Sequence, residues 1–158
     1  MNPELLVQND LNLSELYDRD FYLWVQTTVQ LLQDRQLDRI DFESLIEEVE
    51  SMGKREKKEL KSRLTTLIEH LLKLEYWEAE KDNNARGWRL TVVEQRRQIK
   101  YLLEDSPSLK VLLIEIWATC YDDAREDIIR KYKLESELFP DEAEFSLDDI
   151  LAEDYIPE

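Results

Sequence analysis

Apolar residues along this chain recur at the spacing of helices, and no stretch alternates with the period of two that a strand needs. From Lys54 to Trp77, the residues Leu60, Leu64, Leu67, Ile68, Leu71 and Leu74 fall on one stripe when the chain turns by about 100° per residue. A second run, Trp88, Val92, Ile99 and Leu102, predicts a helix over 88–103. A third places Leu109, Leu112, Leu113, Ile116, Cys120 and Ala124 on one face of a helix ending near Lys133. It opens on Ser106-Pro107, a serine at the N-cap with a proline at the first helical position.

Upstream the pattern is weaker. Residues 1–15 read as a poorly patterned lead-in, and 16–158 as a single α-helical domain. Asp18 or Asp20 caps a helix running to about Gln36, with Phe21, Trp24, Val25, Thr28 and Leu32 inward. Asp41 caps a short helix with Leu45, Ile46, Val49 and Met52 inward, and Gly53 is expected to stop or kink it. Asp82, Asn83, Asn84 and Gly87 mark 78–87 as the loop of a central helical hairpin over 54–104. Ser146-Leu147-Asp148-Asp149 is a capping box for a short last helix. The predicted fold is all-α: one bundle of about five main helices, a long central hairpin and a short C-terminal helix.

Composition supports this. Two Gly and four Pro in 158 residues are too few for the tight turns of sheets. Four Trp, seven Tyr and four Phe supply enough buried area to exclude disorder of the whole. No window approaches 18 uninterrupted apolar residues, so no membrane span is expected. The N-terminal Met-Asn-Pro-Glu-Leu-Leu-Val lacks the basic and apolar regions of a signal peptide. One cysteine, Cys120, has no internal disulfide partner and suits a reducing, cytoplasmic compartment.

Charge changes the picture more. Residues 54–101 carry 13 Lys and Arg against 8 Asp and Glu, while 1–53 carry 3 against 12 and 102–158 carry 5 against 17. A basic middle between acidic wings can satisfy itself on folding, because charges within a Debye length of about 10 Å still interact. The net charge of −16 disfavours nucleic acid and anionic lipid, and points to a basic protein partner.

Several side chains carry candidate chemistry. His70, the only histidine, is a candidate general base, with Glu47 or Glu48 to orient it. Its plainer reading is a histidine at the edge of the leucine stripe, hydrogen-bonded to a neighbouring helix. Arg89, Arg96 and Lys100 are spaced to share one side of a helix, with Arg97 pointing elsewhere. Together with Trp88 and Glu94, these arginines are candidate ligand-binding residues, since guanidinium forks hold anions in bidentate fashion. The plainer reading pairs them with the acidic wings. Gln95 projects into the apolar stripe and needs a buried partner. Lys54–Lys61 is basic but interleaved with Glu56 and Glu59, as on an ordinary helix surface. No phosphate loop, zinc spacing or nucleophile motif occurs, and neither a cofactor nor a metal is expected.

The landmarks Leu16-Tyr17-Asp18-Arg19-Asp20-Phe21-Tyr22-Leu23-Trp24, Asp41 to Gly53, His70-Leu71-Leu72-Lys73, Trp88-Arg89, Glu94-Gln95-Arg96-Arg97, Asp105-Ser106-Pro107-Ser108-Leu109 and Asp154-Tyr155-Ile156-Pro157 come in an order that resembles the domain of unknown function 29 family. The likeness covers roughly residues 16–158. It implies a bacterial protein of all-helical fold with long hairpins and no established activity. The family's recurrent polar landmarks coincide with Asp20, Glu47, Glu48, His70, Arg89, Glu94, Arg96 and Arg97.

The favoured expectation is a cytoplasmic, non-enzymatic interaction or scaffold protein, with room for a homo-oligomer. The alternative is a hydrolytic or phosphate-handling enzyme built from His70, Glu47 or Glu48, and Arg89 or Arg96. Nucleic-acid binding through Arg89, Arg96 and Lys100 is a weaker one.

Overall fold

In the computed structural model, which describes residues 12–157, every regular element among the described residues is helical. The α-helices are α1 (Leu13–Arg19), α2 (Phe21–Gln33), α3 (Phe42–Tyr76), α4 (Glu78–Asp105), α5 (Leu109–Tyr132) and α6 (Leu147–Leu151). Short 3₁₀ turns lie at Leu37–Arg39 and Ser136–Leu138. The chain divides into two compact units, residues 1–54 and 55–158, and α3 runs through the division.

In the first unit, part of the expected lead-in is helical. The Asn12 side chain accepts a hydrogen bond from the Ser14 amide (3.1 Å), and Leu16 is buried. Asp20 ends α1 and starts α2, where its carboxylate accepts the Leu23 amide (3.1 Å). The helix stops at Gln33, earlier than its apolar pattern suggests, because Arg35 enters the left-handed region (φ 58°). The Gln36 amide then bonds to the Leu31 carbonyl and the Arg35 amide to the Leu32 carbonyl, closing a Schellman turn. Trp24, Thr27, Thr28 and Leu31 face inward, whereas Phe21 and Leu32 are exposed. The inner face of α2 is thus rotated from the expected one. Tyr17, Phe21 and Trp24 cluster, with the Tyr17 and Trp24 ring centroids 4.7 Å apart.

Asp41 caps α3 as expected, accepting the Ser44 amide at 3.2 Å. Gly53 does not stop the helix. One glycine costs about 1 kcal/mol relative to alanine, too little to break 35 residues rich in Lys, Glu and Leu. A Cβ added at Gly53 or at Gly87 would meet nothing within 4 Å, and neither has a positive φ. Gly53→Ala and Gly87→Ala are therefore each expected to raise stability by about 0.5–1 kcal/mol in denaturant unfolding. A loss at either position would contradict the helical assignment there.

In the second unit the predicted leucine stripe is fully buried, and Leu72 is buried with it. The hairpin loop expected over 78–87 is helix instead. The break is one residue, Trp77 (φ −96°, ψ 69°), whose ring stacks on Trp88 (5.7 Å, 19°) and tilts against Tyr132 (4.8 Å). Asn84 stays in the helix by donating its side-chain amide to the Glu80 carbonyl (2.9 Å). From Trp77, α4 returns along α3, bringing Gln95 within 3.5 Å of Arg63.

Ser106–Ser108 form a turn before α5, the Leu109 amide bonding to the Ser106 carbonyl (3.0 Å). This puts the helix start two residues later than the Ser-Pro signal suggests. α5 runs in the same direction as α3. The Cys120 sulfur lies 3.9 Å from the Lys61 carbonyl, and the Tyr132 hydroxyl accepts from Lys73 (3.2 Å). Lys133 (φ 54°) ends it.

The residues after α5 fold back over these three helices. Phe139 packs edge-on to Tyr76 (6.3 Å), and Phe145 lies 6.2 Å from each of Trp117, Tyr121 and Tyr155. The Ser146–Asp149 capping box forms as predicted, and α6 carries Ile150 into the core.

Candidate functional site

The candidate catalytic residues are divided between the units. Glu47 and Glu48 belong to the first, and His70 to the second. Glu47 is exposed, while Glu48 is partly buried and accepts a hydrogen bond from the Tyr17 hydroxyl at 3.0 Å.

His70 is partly buried, with Nδ1 2.9 Å from the carbonyl of Thr66, one turn back on its own helix. A carbonyl only accepts, so Nδ1 is the protonated nitrogen and Nε2 the basic one in the neutral ring. Burial holds the His70 pKa below the ordinary 6.5; the Thr66 bond opposes this, and the charges of Lys73 and Lys131 add to it. Well above pH 6.5 the ring is neutral in folded and unfolded chains alike, so it has no effect on stability there. As pH falls through 6.5 the unfolded chain takes the proton first, and stability drops until the folded pKa is passed. His70→Gln is expected to flatten that drop. The protein's one imidazole resonance should titrate below 6.5 by NMR, and a midpoint at or above 6.5 would contradict this environment.

Beside it, Lys73 is buried among aromatics. Its ammonium lies 4.9 Å from the Tyr132 ring centroid and 5.9 Å from that of Trp88. Burial pushes the Tyr132 hydroxyl up, but the hydrogen bond and charge of Lys73 outweigh it and leave its pKa lowered. Trp88 therefore packs against Trp77 and Lys73.

The arginine candidates have separate fates. Arg89 is exposed. Glu94 accepts from Arg97 (3.2 Å) and from Gln98 (2.8 Å). Arg96, expected on the same cationic side as Arg89 and Lys100, turns inward instead. Its Nε donates to the Ile150 carbonyl (2.5 Å) and its Nη2 to the Tyr155 carbonyl, tying the C-terminal segment to α4. Burial lowers its pKa, against the opposing charge of Asp154. Nη1 is buried without a hydrogen-bond partner.

Internal pairing of the basic middle with the C-terminal wing is visible in Lys61–Asp123 (3.2 Å) and Lys100–Glu153 (3.7 Å). Other pairs, such as Arg63–Glu59 (3.6 Å) and Lys81–Glu78 (3.5 Å), are local to one helix. Cys120 is buried in the core, and burial raises its thiol pKa.

Two surface features stand out. The first is a cavity of about 750 Å³ in the second unit. Its apolar lining comes from Val93, Ile99, Leu103, Pro107 and Leu151, its cations are Arg96, Arg97, Lys100 and Lys110, and Tyr101, Glu104 and Glu153 complete it. Trp88, Arg89 and Glu94 do not line it.

The second is the outer face of α3 in the first unit. Phe42, Ile46, Val49 and Met52 are 49–56% exposed, at spacings of four, three and three. The sequence reading placed three of these residues inward. The structure turns Ser44 in instead, with Glu48 and Ser51 partly covered beside it. The apolar period was legible, but its direction was not, because an apolar stripe is read as core by default. At about 100° per residue, Glu43, Glu47 and Glu50 run along one flank of the row, and all three are exposed.

Among the described residues, no three His, Cys, Asp or Glu side chains gather as metal ligands, and no helix is long and apolar enough to cross a membrane. No curated protein and no solved structure matches the chain. A family model does, over residues 16–156, and its description is Domain of unknown function DUF29. With nearly the whole sequence matched, the chain belongs to the DUF29 family.

Proposed function

We propose that this protein is a non-enzymatic interaction module of the cytoplasm, and that its partner is a basic amphipathic helix docking on the outer face of α3. The observation that carries this is the row Phe42, Ile46, Val49 and Met52, half-exposed and flanked by Glu43, Glu47 and Glu50. A row at three- and four-residue spacing offers a helix the i, i+3, i+4, i+7 anchors it needs. Exposed apolar rows of this kind mark interaction surfaces. The carboxylate flank sets the partner's charge, because complementary rims select partners and speed encounter. The acidic balance of residues 1–53 acts in the same direction. A buried Cys120 is compatible with a reducing compartment.

The test uses a synthetic helical peptide with leucines on one face and lysines on its flanks, followed by fluorescence anisotropy. Binding is expected to weaken with salt between about 0.05 and 0.5 M. Ile46→Glu and Val49→Glu are each expected to weaken it by about tenfold or more. Both side chains are exposed, so the helical circular dichroism should stay unchanged. Unaltered binding in both variants would overturn the proposal. So would a wild-type dimer that Ile46→Glu converts to monomer, since a second copy would then be the occupant.

A further inference from the structure

The cavity of the second unit is independent of the α3 face, and its chemistry is of another kind. We infer that it binds a single-chain anionic amphiphile, with the chain along the apolar wall and the head group among Arg97, Lys100 and Lys110. At about 750 Å³ it falls in the range of small-molecule sites. Val93, Ile99, Leu103, Pro107 and Leu151 present hydrocarbon, which suits an alkyl chain better than a sugar or a nucleotide.

The charge in the wall is lopsided. Four cations line it against two carboxylates. Arg97 is paired with Glu94 at 3.2 Å, and Lys100 is held by Glu153 only at 3.7 Å, with both side chains well exposed. An exposed pair of this length is worth about 1 kcal/mol or less, so Lys100 is readily drawn to a ligand. Lys110 is exposed at the start of α5.

Arg96 supplies the inner charge. It is 94% buried, two of its nitrogens are taken by the Ile150 and Tyr155 carbonyls, and Nη1 has no partner. Asp154 offsets part of its charge without a direct salt-bridge contact, so the guanidinium, with Nη1 unpaired, still favours an anion over a neutral or cationic head. A buried cation in low dielectric acts more strongly than one in water.

The test is isothermal titration of the full chain with sodium decanoate below its micelle concentration. Matched arms use 1-decanol, decyltrimethylammonium, sodium acetate and inorganic phosphate. Decanoate is expected to bind at one site. Decanol and decyltrimethylammonium should each bind at least about tenfold more weakly, because both lack the charge the cations select. Acetate and phosphate should give no comparable heat, because they lack the chain.

Lys110→Glu reverses an exposed charge and is expected to weaken decanoate by about tenfold. Val93→Trp fills the cavity from an exposed position and should abolish binding with the helical signal intact. Equal binding of decanol and decanoate, binding of phosphate as tight as decanoate, decanoate binding unchanged in both variants, or no decanoate binding at all would each overturn the inference.

Discussion

Arg96→Ala is expected to destabilise the second unit by about 2–4 kcal/mol, because two charge-assisted hydrogen bonds at roughly 1.5–3 kcal/mol each vanish while the cost of burying the guanidinium is relieved. The loss has a location. The Ile150 and Tyr155 carbonyls that Arg96 holds belong to the end of the segment after α5; its earlier part is held by buried Phe139 and Phe145, by Arg125 donating to the Ser136 and Phe139 carbonyls and by Tyr121 donating to that of Pro140. Limited proteolysis should therefore cut the variant between 146 and 157 well before the rest of the chain.

Arg96→Lys keeps the charge but lacks the fork that reaches two carbonyls at once. It should recover part of the stability and little of the protease resistance. In a unit of about 100 residues, 1 kcal/mol moves Tm by roughly 4–8 °C, so a fall of about 10 °C or more is expected for alanine. A variant within about 0.5 kcal/mol of wild type, cut no faster, would mean that the arginine does not hold this segment.

Leu71→Ala is expected to cost about 3–4 kcal/mol, within the range for truncating a closely packed leucine. Leu71 is fully buried on α3, where Leu60, Leu64, Leu67, Ile68, Leu72 and Leu74 are buried with it. Helices and tail pack around that stretch, leaving little freedom to collapse into the space. Leu90→Ala is the control. Leu90 is 62% exposed on α4, and its truncation should stay within about 0.5 kcal/mol of wild type. Similar losses at the two positions in urea unfolding would contradict the assignment of the core.

The leucine positions were readable because a stripe of large aliphatic residues between charged flanks has one helical solution. The caps at Asp41 and Ser146, and Asp20 as one of two aspartates open for the role, were readable for a similar reason, since their short polar side chains answer a local need of the backbone. The fold class needed nothing more.

What misled was single-residue preference, overridden by helix-forming neighbours in some places and by tertiary packing in others. Gly53, Asn83, Asn84 and Gly87 favour loops, yet all stay helical, while the break falls at Trp77, a residue with no breaking tendency. There its ring packs on Trp88, eleven residues on, and on Tyr132, more than fifty residues away. Arg96 was misread in the same way. Its partners are backbone carbonyls more than fifty residues away, and a carbonyl has no signature in the sequence. The row on α3 shows the converse: Ile46, Val49 and Met52 keep the right period and face outward.

The measurement that tests the functional reading most directly is a residue-by-residue NMR map of the protein titrated with the basic amphipathic peptide. Amide and methyl shifts are predicted to move first at Phe42, Ile46, Val49 and Met52 and along Glu43, Glu47 and Glu50. Shifts centred on the exposed Val111 and Ile114 of α5, or no saturable shifts at all, would contradict it.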